Sequence, residues 1–333
     1  VGSEMCIRDR IYIGALRVDS GAISRGAVVA LYNYMSQILV ELIKLANLII
    51  SVTKAIACGN RIQSVLDIEP ATVPGTVTEG DKKCEYSVEF DGACLSYNGS
   101  EESLHNIDLK IPRGSTVGVI GSTGSGKSSL VNLIPRFYDV TGGCVLVDGV
   151  DVRDYDTKAL RSKIGVVSQK KALFSGSVRD NIRFGKQDAT DEEIWQALET
   201  AQAKQMIEEK SGQLDFVLEQ EGKNLSGGQR QRLTIARALV GDPEILILDD
   251  SASALDLATD ARLRKAIHEK TSGMTVFIVS QRISSIKSAD KIIVLDDGKI
   301  AGIGTHSELY NGCEVYKEIC LSQLSEKEAQ ANG

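Results

Sequence analysis

The sequence lacks an excess of positive charge and lacks closely paired cysteines. Its 38 lysine and arginine residues are outnumbered by 45 aspartate and glutamate residues, which gives a formal net charge of −7. A chain with this charge is not expected to bind nucleic acid, because nucleic-acid-binding surfaces are rich in basic residues. The seven cysteines are scattered, and no two have the C-x-x-C spacing. We therefore expect reduced thiols in a cytosolic domain.

Proline is absent from residues 26–58, and the stretch is strongly apolar. Ser24 is a suitable N-cap for a helix that starts there. A membrane span needs about 20 mostly apolar residues, and residues 27–52 meet that length. Glu41 and Lys44 interrupt the run, but they are three residues apart and can pair on one helical face. The pattern favours a spanning helix, with an amphipathic docking helix as the alternative.

Residues 1–10, with the sequence VGSEMCIRDR, resemble the translation of a sequencing adapter. We expect them to be an artefact, and we expect the natural protein to continue further towards its N-terminus. Residues 70–84 are rich in proline, glycine and charge, as is typical of a linker, and they include Pro70, Pro74 and Gly80.

A glycine-rich loop at residues 121–128 has the pattern G-x-x-x-x-G-K-S. An apolar strand pattern precedes the loop and an apolar helix pattern follows it, as a phosphate-binding loop requires. Glycines let consecutive backbone N–H groups point inwards at phosphate oxygens, and the following helix adds its positive end. Lys127 is suited to neutralise the β- and γ-phosphates, and the Ser128 hydroxyl is suited to ligate Mg²⁺.

Short apolar strands alternate with helical patterns through the rest of the chain, which predicts an α/β domain with a largely parallel core sheet. Polar residues follow several of these strands, among them Gln169, Asp249, Asp250 and Gln281. Ligands of such sheets bind at the carboxyl ends of the strands, so we expect these side chains to share one site. Residues 188–210 have a helical period, and Asp297-Gly298 predicts a hairpin turn.

The segment Leu225-Ser226-Gly227-Gly228-Gln229 lies between the phosphate loop and the apolar strand that ends in Asp249. Together these motifs resemble the ATP-binding-cassette (ABC) ATPases, over residues 86–324. The resemblance implies a P-loop NTPase of ABC type, with an antiparallel β subdomain and an α-helical subdomain beside the mostly parallel core sheet. Residues 11–69 resemble the last transmembrane helix of an exporter with its cytosolic extension. The resulting expected domains are 11–69, a linker at 70–84, the ATP-binding domain at 85–325 and a tail at 326–333.

The resemblance implies a role for each motif, with ATP and Mg²⁺ as cofactors. Tyr97 would stack on adenine, and Gln169 would touch Mg²⁺ and the attacking water and sense the transmembrane partner. Asp249 would hold Mg²⁺ through water. The loop that binds the phosphates would comprise Gly121, Ser122, Thr123, Gly124, Ser125, Gly126, Lys127, Ser128 and Ser129. The segment that closes on ATP held by a second subunit would comprise Ser226, Gly227, Gly228 and Gln229. Residues 253–256 resemble the loop that crosses to that subunit.

Two residues depart from the family pattern. Asp250 stands where the family usually has glutamate, which polarises the attacking water, and Gln281 stands where it usually has histidine. The shorter arm of Asp250 reaches its water less well, and an amide cannot carry a proton or a positive charge. These departures resemble the degenerate-site subunit of a heterodimeric exporter, whose signature segment completes the active site of its partner. The segment before the signature also departs, with Glu219-Gln220-Glu221-Gly222 in place of Gly-Glu-Arg-Gly.

This reading implies a membrane subunit with a cytoplasmic ATPase domain, in contact with membrane lipids, a transported substrate and a second half-subunit. Two alternatives remain open at this point. One is a homodimeric exporter in which Asp250 is a working base. The other is a nucleotide-binding regulatory module in which ATP is bound without turnover. A soluble ABC protein is disfavoured by the apolar helix, the acidic charge and the lack of a long coiled-coil insert.

Overall fold

The computed structural model describes residues 2–68, 72–97, 99, 102–170, 172–250, 257–270 and 273–323. Of these, the side chains of 2–7, 257, 258, 268 and 270 are outside the description. The chain forms two compact units, Val1–Ala71 and Thr72–Gly333.

The first unit consists of helices α1 (Gly2–Asp19) and α2 (Arg25–Leu66). Ser24 caps α2, since its hydroxyl accepts a hydrogen bond from the Ala27 N–H at 3.2 Å. The predicted pair is present, with Lys44 Nζ 2.8 Å from Glu41 Oε1. Helix α2 has 42 residues and would span about 60 Å at 1.5 Å per residue, so by length and composition it can cross a membrane. Helix α1 includes most of residues 1–10, and their adapter origin stays a prediction.

The described strands of the second unit form three sheets. Its strands are β1 (Tyr86–Ser96), β2 (Glu102–Pro112), β3 (Thr116–Gly121), β4 (Gly142–Val147), β5 (Val150–Asp151), β6 (Ile164–Val167), β7 (Gly176–Ser177), β8 (Val217–Leu218), β9 (Ile245–Asp249), β10 (Thr275–Val279), β11 (Lys291–Asp296) and β12 (Lys299–Gly304). The core sheet has the order β12-β11-β3-β10-β9-β6 and is parallel except for β12. An antiparallel sheet has the order β2-β1-β4-β5, and β7 pairs with β8. This is the predicted α/β architecture with its antiparallel part.

Helices flank the core sheet. They are α3 (Lys127–Leu133), α4 (Thr157–Ser162), α5 (Val178–Arg183), α6 (Asp191–Thr200), α7 (Lys204–Glu208), α8 (Gly227–Leu239), α9 (Leu257–Lys270), α10 (Ile283–Ile286), α11 (His306–Gly312) and α12 (Glu314–Gln323). The helical period predicted over 188–210 corresponds to two helices, α6 and α7. Gln202 has a φ of 56° and turns the chain between them, which the apolar period alone does not reveal.

Alternation along the buried strands places the core on both faces of the parallel sheet. Val119, Phe277 and Ile293 pack with the antiparallel sheet and α3. Their neighbours Ile120 and Ile278 face the opposite way, against the cluster that includes α8 and α12. A parallel sheet covered on both faces explains why β9 and β10 are apolar at nearly every position. The six cysteines outside the first ten residues are free thiols in this structure.

The predicted linker is not a free tether beyond residue 72. Gly75 N–H donates to the Tyr155 carbonyl at 2.9 Å, and Val77 N–H donates to the Asp154 carbonyl at 2.9 Å. Gly80 lies so close to the domain that a Cβ there would be 2.2 Å from the Tyr155 hydroxyl. Glycine in this segment thus permits close packing onto the domain as well as flexibility.

Candidate functional site

The loop between β3 and α3 has the tight backbone that the glycine pattern predicts. Gly126 is the N-cap of α3 with a φ of 92°, a left-handed conformation that favours glycine. A Cβ on Gly121 would lie 2.1 Å from the Leu295 carbonyl oxygen, and one on Gly126 would lie 2.8 Å from the Ser103 carbonyl oxygen. Neighbouring backbone therefore requires glycine at both positions. The first turn of α3 lies at the carboxyl end of β3.

Lys127 is buried within this loop. Its ammonium group donates to the carbonyls of Gly121 at 2.9 Å and Ser122 at 2.5 Å, and lies 3.4 Å from the Ser125 hydroxyl. Burial lowers the pKa of Lys127, while the carboxylates of Asp249 and Asp250 oppose that change. Within the described chain, the hydrogen bonds of this buried cation go to neutral oxygens, so an incoming anion would replace weaker partners with a full opposite charge.

Ser128 and Asp249 meet across the site. The Ser128 hydroxyl donates to Asp249 Oδ1 at 3.2 Å, and the Asp249 side chain is largely buried at the end of β9. Burial raises the pKa of Asp249; the Ser128 hydrogen bond opposes the increase, and the Asp250 charge adds to it. A hydroxyl and a carboxylate at this separation are hard oxygen donors of the type that Mg²⁺ prefers.

The order of the core sheet brings the predicted residues to one edge. Strand β10 lies between β3 and β9, with Val279 opposite both Val119 and Asp249. Strand β6 adjoins β9 on its other side. The phosphate loop, Gln281, Asp249 and Gln169 therefore follow the carboxyl ends of four adjacent parallel strands, where such sheets bind ligands.

Asp250 is held by its backbone rather than by the end of the strand. Its N–H donates to the Val279 carbonyl at 2.9 Å, and its φ is 47°. Its Oδ2 is 3.5 Å from Gln169 Nε2, a long contact at the limit of a hydrogen bond. Gln169 and Gln281 are both exposed at this edge. The Asp250 carboxylate thus lies beside the Gln169 amide, and its charge acts on Lys127.

Tyr97 lies beside the loop, with its hydroxyl 3.0 Å from the Ser129 hydroxyl. The ring of Tyr138 packs edge-to-face on it, with the ring centroids 5.0 Å apart. Sequence reasoning did not find Tyr138, because it follows α3 in a segment without a recognisable motif. The half-buried Tyr97 ring, supported by a second aromatic ring, forms an apolar platform next to the phosphate loop.

The segment 226–229 forms the start of α8. Ser226 is the N-cap; its hydroxyl accepts from Gln229 N–H at 3.3 Å, and Gln229 Oε1 accepts from Ser226 N–H at 2.9 Å. This reciprocal capping box was missed, although the Ser-x-x-Gln spacing is its signature. Within the described part of the chain, no hydrogen bond joins this segment to the phosphate loop. Residues 253–256, predicted to cross to a second subunit, lie outside the described residues.

The residues fit a nucleotide with a divalent cation better than a cation bound by protein alone. Among the described residues, no group of three or more His, Cys, Asp or Glu is arranged to hold a metal ion. Ser128 and Asp249 supply only part of a coordination shell, which suits Mg²⁺ because it usually completes its shell with phosphate and water. The close approach of neighbouring protein atoms at Gly121 and Gly126 excludes side chains there, which fixes the tight curl of the loop that a phosphate site requires.

Comparison with known proteins agrees with this geometry. Residues 104–253 match the family model described as ABC transporter. A protein of Mycobacterium tuberculosis, described as an uncharacterized ABC transporter ATP-binding protein, is 42% identical over 322 residues, covering 94% of this chain and 54% of that protein. The ATP-dependent lipid A-core flippase of Desulfotalea psychrophila is 37% identical over 299 residues, covering 90% of this chain and 52% of the flippase.

A solved structure is also similar. A bacterial Atm1-family ABC exporter with ATP bound has a TM-score of 0.76 and 31% sequence identity to this chain, covering 92% of it and 54% of the exporter chain. The chain spans about half the length of the curated relatives it matches. The match extends beyond the parallel sheet, since 92% coverage requires residues from both compact units.

Proposed function

Because residues 104–253 are an ATP-binding domain of the ABC transporter family, we propose that this chain is the ATPase part of an ABC exporter subunit, with one of its membrane helices. The observation that carries the proposal is the shared edge of the core sheet, where Lys127, Asp249 and Gln169 lie at or just beyond the carboxyl ends of β3, β9 and β6. Helix α2 supports a membrane location, with the ATPase domain on the cytoplasmic side. The similar solved structure is that of an ABC exporter, which supports export as the direction of transport.

In this proposal the chain binds ATP with Mg²⁺. Residues 121–129 hold the phosphates through backbone N–H groups and Lys127, and Tyr97 receives the adenine ring. Ser128, Asp249 and Gln169 hold Mg²⁺, which when bound neutralises charge on the β- and γ-phosphates. Closure of two such domains over ATP brings the 226–229 segment of one onto the phosphates held by the other. The N-terminus of α8 suits that anion because its first N–H groups lack intrahelical partners.

We further propose that the chain's own site is slow and that its physiological partner is a different half-subunit. The support is that both departures, Asp250 and Gln281, fall on residues that would act on the attacking water or γ-phosphate, while the binding residues are present. The backbone of Asp250 is hydrogen-bonded to the Val279 carbonyl. This contact holds the backbone in place, so it does not move towards the attacking water to compensate for the shorter side chain. A base must reach its water at hydrogen-bond distance.

Steady-state phosphate release tests this proposal. The full chain, reconstituted alone, should hydrolyse ATP slowly, because any composite site that it forms with itself carries Asp250 and Gln281. The double variant Asp250→Glu with Gln281→His should raise turnover by roughly 100-fold, the scale on which acid–base groups contribute to rate. The matched control is Asp296→Glu, which makes the same change on an exposed carboxylate of β11.

Fast hydrolysis by the unaltered chain would falsify the slow-site proposal and favour a homodimer in which Asp250 is a working base. ATP binding without hydrolysis in both the unaltered chain and the double variant would favour the regulatory module. Binding is measured separately by titration calorimetry with ATP and Mg²⁺.

A further inference from the structure

The last turn of α12 contacts the nucleotide edge of the core sheet. Gln323 Nε2 donates to the Gln281 carbonyl at 2.6 Å, and Gln323 Oε1 accepts from the Ile283 N–H at 3.1 Å. The side-chain amide of Gln323 thus binds one backbone carbonyl and one backbone N–H of the segment that follows β10. Reversing the amide would place its oxygen against a carbonyl and its NH₂ against an N–H, so the two contacts fix its orientation.

The second contact meets a specific need of the loop. Ile283 is the first residue of α10, and the Arg282 side chain at the N-cap makes no capping hydrogen bond. The first N–H groups of a helix have no intrahelical acceptor and are normally capped by a nearby side chain. Gln323 supplies that acceptor from a helix 40 residues further along the chain.

Helix α12 is anchored well enough to act as a support. Tyr316 and Cys320 are fully buried, in the same cluster as Ile283 and Ile286 of α10. The Tyr316 hydroxyl is also 2.8 Å from His306 Nδ1, which links α12 to α11. Because its buried face is fixed in this way, the end of α12 holds Gln323 at a defined distance from the 281–283 loop.

We propose that Gln323 is a positioning residue that sets the backbone of Gln281 and thereby orients its side chain towards the bound nucleotide. The proposal rests on the function proposed above, in which Gln281 lies next to the γ-phosphate. The Ser280 N–H donates to the carbonyl of Val119, just before the phosphate loop, at 3.1 Å. The 281–283 loop is therefore held by the core sheet at one end and by α12 at the other.

Hydrogen exchange of the full chain in detergent, with and without ATP and Mg²⁺, tests the proposal. Gln323→Met keeps the length of the side chain and loses both contacts. The rate of backbone amide exchange at 283–286 should rise roughly 3- to 10-fold. Losing an exposed hydrogen bond favours local opening of the segment by a factor of this size. ATP should slow exchange in this loop in the unaltered chain and have little effect on it in the variant. The affinity for ATP should change less than about twofold, because the phosphate loop is untouched.

Two further variants separate positioning from general stability. Gln323→Glu keeps an acceptor for Ile283 N–H and loses the donor to Gln281, so basal exchange at Ile283 should stay low while the ATP response of the loop is lost. Ser322→Ala removes a hydroxyl whose hydrogen bond, among the described residues, goes to the Ile319 carbonyl of its own helix, and it should behave like the unaltered chain. Exchange at 316–320 should be unchanged in all three variants.

Unchanged basal exchange in Gln323→Met, or a full ATP response in that variant, would overturn the positioning role. Equal effects from Ser322→Ala would overturn it as well, because the change would then reflect α12 as a whole. Failure of the unaltered chain to bind ATP would instead contradict the proposed function, and calorimetry of the unaltered chain distinguishes that outcome.

Discussion

The charge of Asp249 lowers the stability of the nucleotide-free domain. Burial raises the pKa of Asp249, so the ionised form is disfavoured in the nucleotide-free domain. Asp249→Asn keeps an oxygen that can accept from Ser128 and removes the charge. We expect the melting temperature at pH 7 to rise by about 2–4 °C, corresponding to about 1 kcal/mol in a domain of this size. The dependence of ATP affinity on Mg²⁺ should be lost in the same variant.

The sign of the pH dependence follows from the direction of the shift. Between the ordinary pKa of an aspartate and the raised pKa of Asp249, the folded state binds more protons than the unfolded state. The contribution of Asp249 to stability is therefore favourable in acid and is lost as the pH rises through that window. Melting curves of the unaltered chain and of Asp249→Asn should converge as the pH falls. A melting temperature that decreases in Asp249→Asn at pH 7 would contradict this account.

Sequence reasoning predicted the residue types at the site better than their local partners. The glycine spacing and the Lys127-Ser128 pair define a loop conformation that few other sequences adopt, so those residues were found. Short-range patterns do not reveal the carbonyls that hold Lys127, since its contacts depend on how the loop closes on itself. The Tyr138 and Gln323 contacts depend on tertiary packing of distant segments, which a one-dimensional pattern does not contain.

Among the elements, strands that alternate or are bounded by turns were easy to predict. The Asp297-Gly298 turn has φ values of 44° and 72°, as a two-residue hairpin between β11 and β12 requires. The helical period over 188–210 is divided between α6 and α7, because a left-handed Gln202 interrupts it without proline or glycine. The 72–84 segment has the composition of a linker, yet its backbone forms hydrogen bonds to the domain. Glycine permits both a flexible linker and close packing, so composition does not distinguish them.

The packing of that segment gives a prediction about one glycine. Gly80→Ala would place a Cβ 2.2 Å from the Tyr155 hydroxyl and 2.5 Å from Asp148 Cβ. Neither neighbour can yield, because Tyr155 is fully buried and Asp148 is paired with Arg113 at 2.6 Å and Lys163 at 2.8 Å. We expect a loss of about 1–3 kcal/mol in the free energy of unfolding, measured by urea denaturation.

Gly312→Ala is the matched control, since a Cβ there has no heavy atom within 4 Å at the end of α11. It should be neutral or stabilising by up to about 1 kcal/mol, as expected for alanine in place of glycine in a helix. Equal stability of the two variants would mean that the 72–84 segment is a free tether.

At the scale of the whole molecule, α2 is the one candidate membrane span among the described residues. If α2 spans a bilayer, the full chain should remain with membranes after an alkaline carbonate wash, and a chain starting at Thr72 should be soluble. Extraction of the full chain by detergent controls for aggregation. Release of the full chain by carbonate would favour an interfacial helix, because such helices bind reversibly.

The two-subunit arrangement makes its sharpest prediction at Ser226, which should act on ATP that this chain does not hold. Substitution by alanine would be ambiguous, because it would remove the N-cap of α8 and cost about 1 kcal/mol. Ser226→Asp and Ser226→Asn both keep a good N-cap oxygen, and they differ in charge. In the complex with the partner half-subunit, Ser226→Asp should place a negative charge against the γ-phosphate bound by the partner. Hydrolysis should fall by roughly 100-fold or more, the cost of losing one donor to a developing anion.

Ser226→Asn should retain most of the activity, and both variants should melt within about 2 °C of each other, since the cap is preserved. The diagnostic comparison is ATP affinity of this chain in isolation, which Ser226→Asp should leave unchanged because, among the described residues, no hydrogen bond joins the 226–229 segment to the phosphate loop of the same chain. A weakened affinity in the isolated chain would place Ser226 in the same site as Lys127 and contradict the shared-site arrangement. Equal hydrolysis by the aspartate and asparagine variants would show that no phosphate approaches the start of α8.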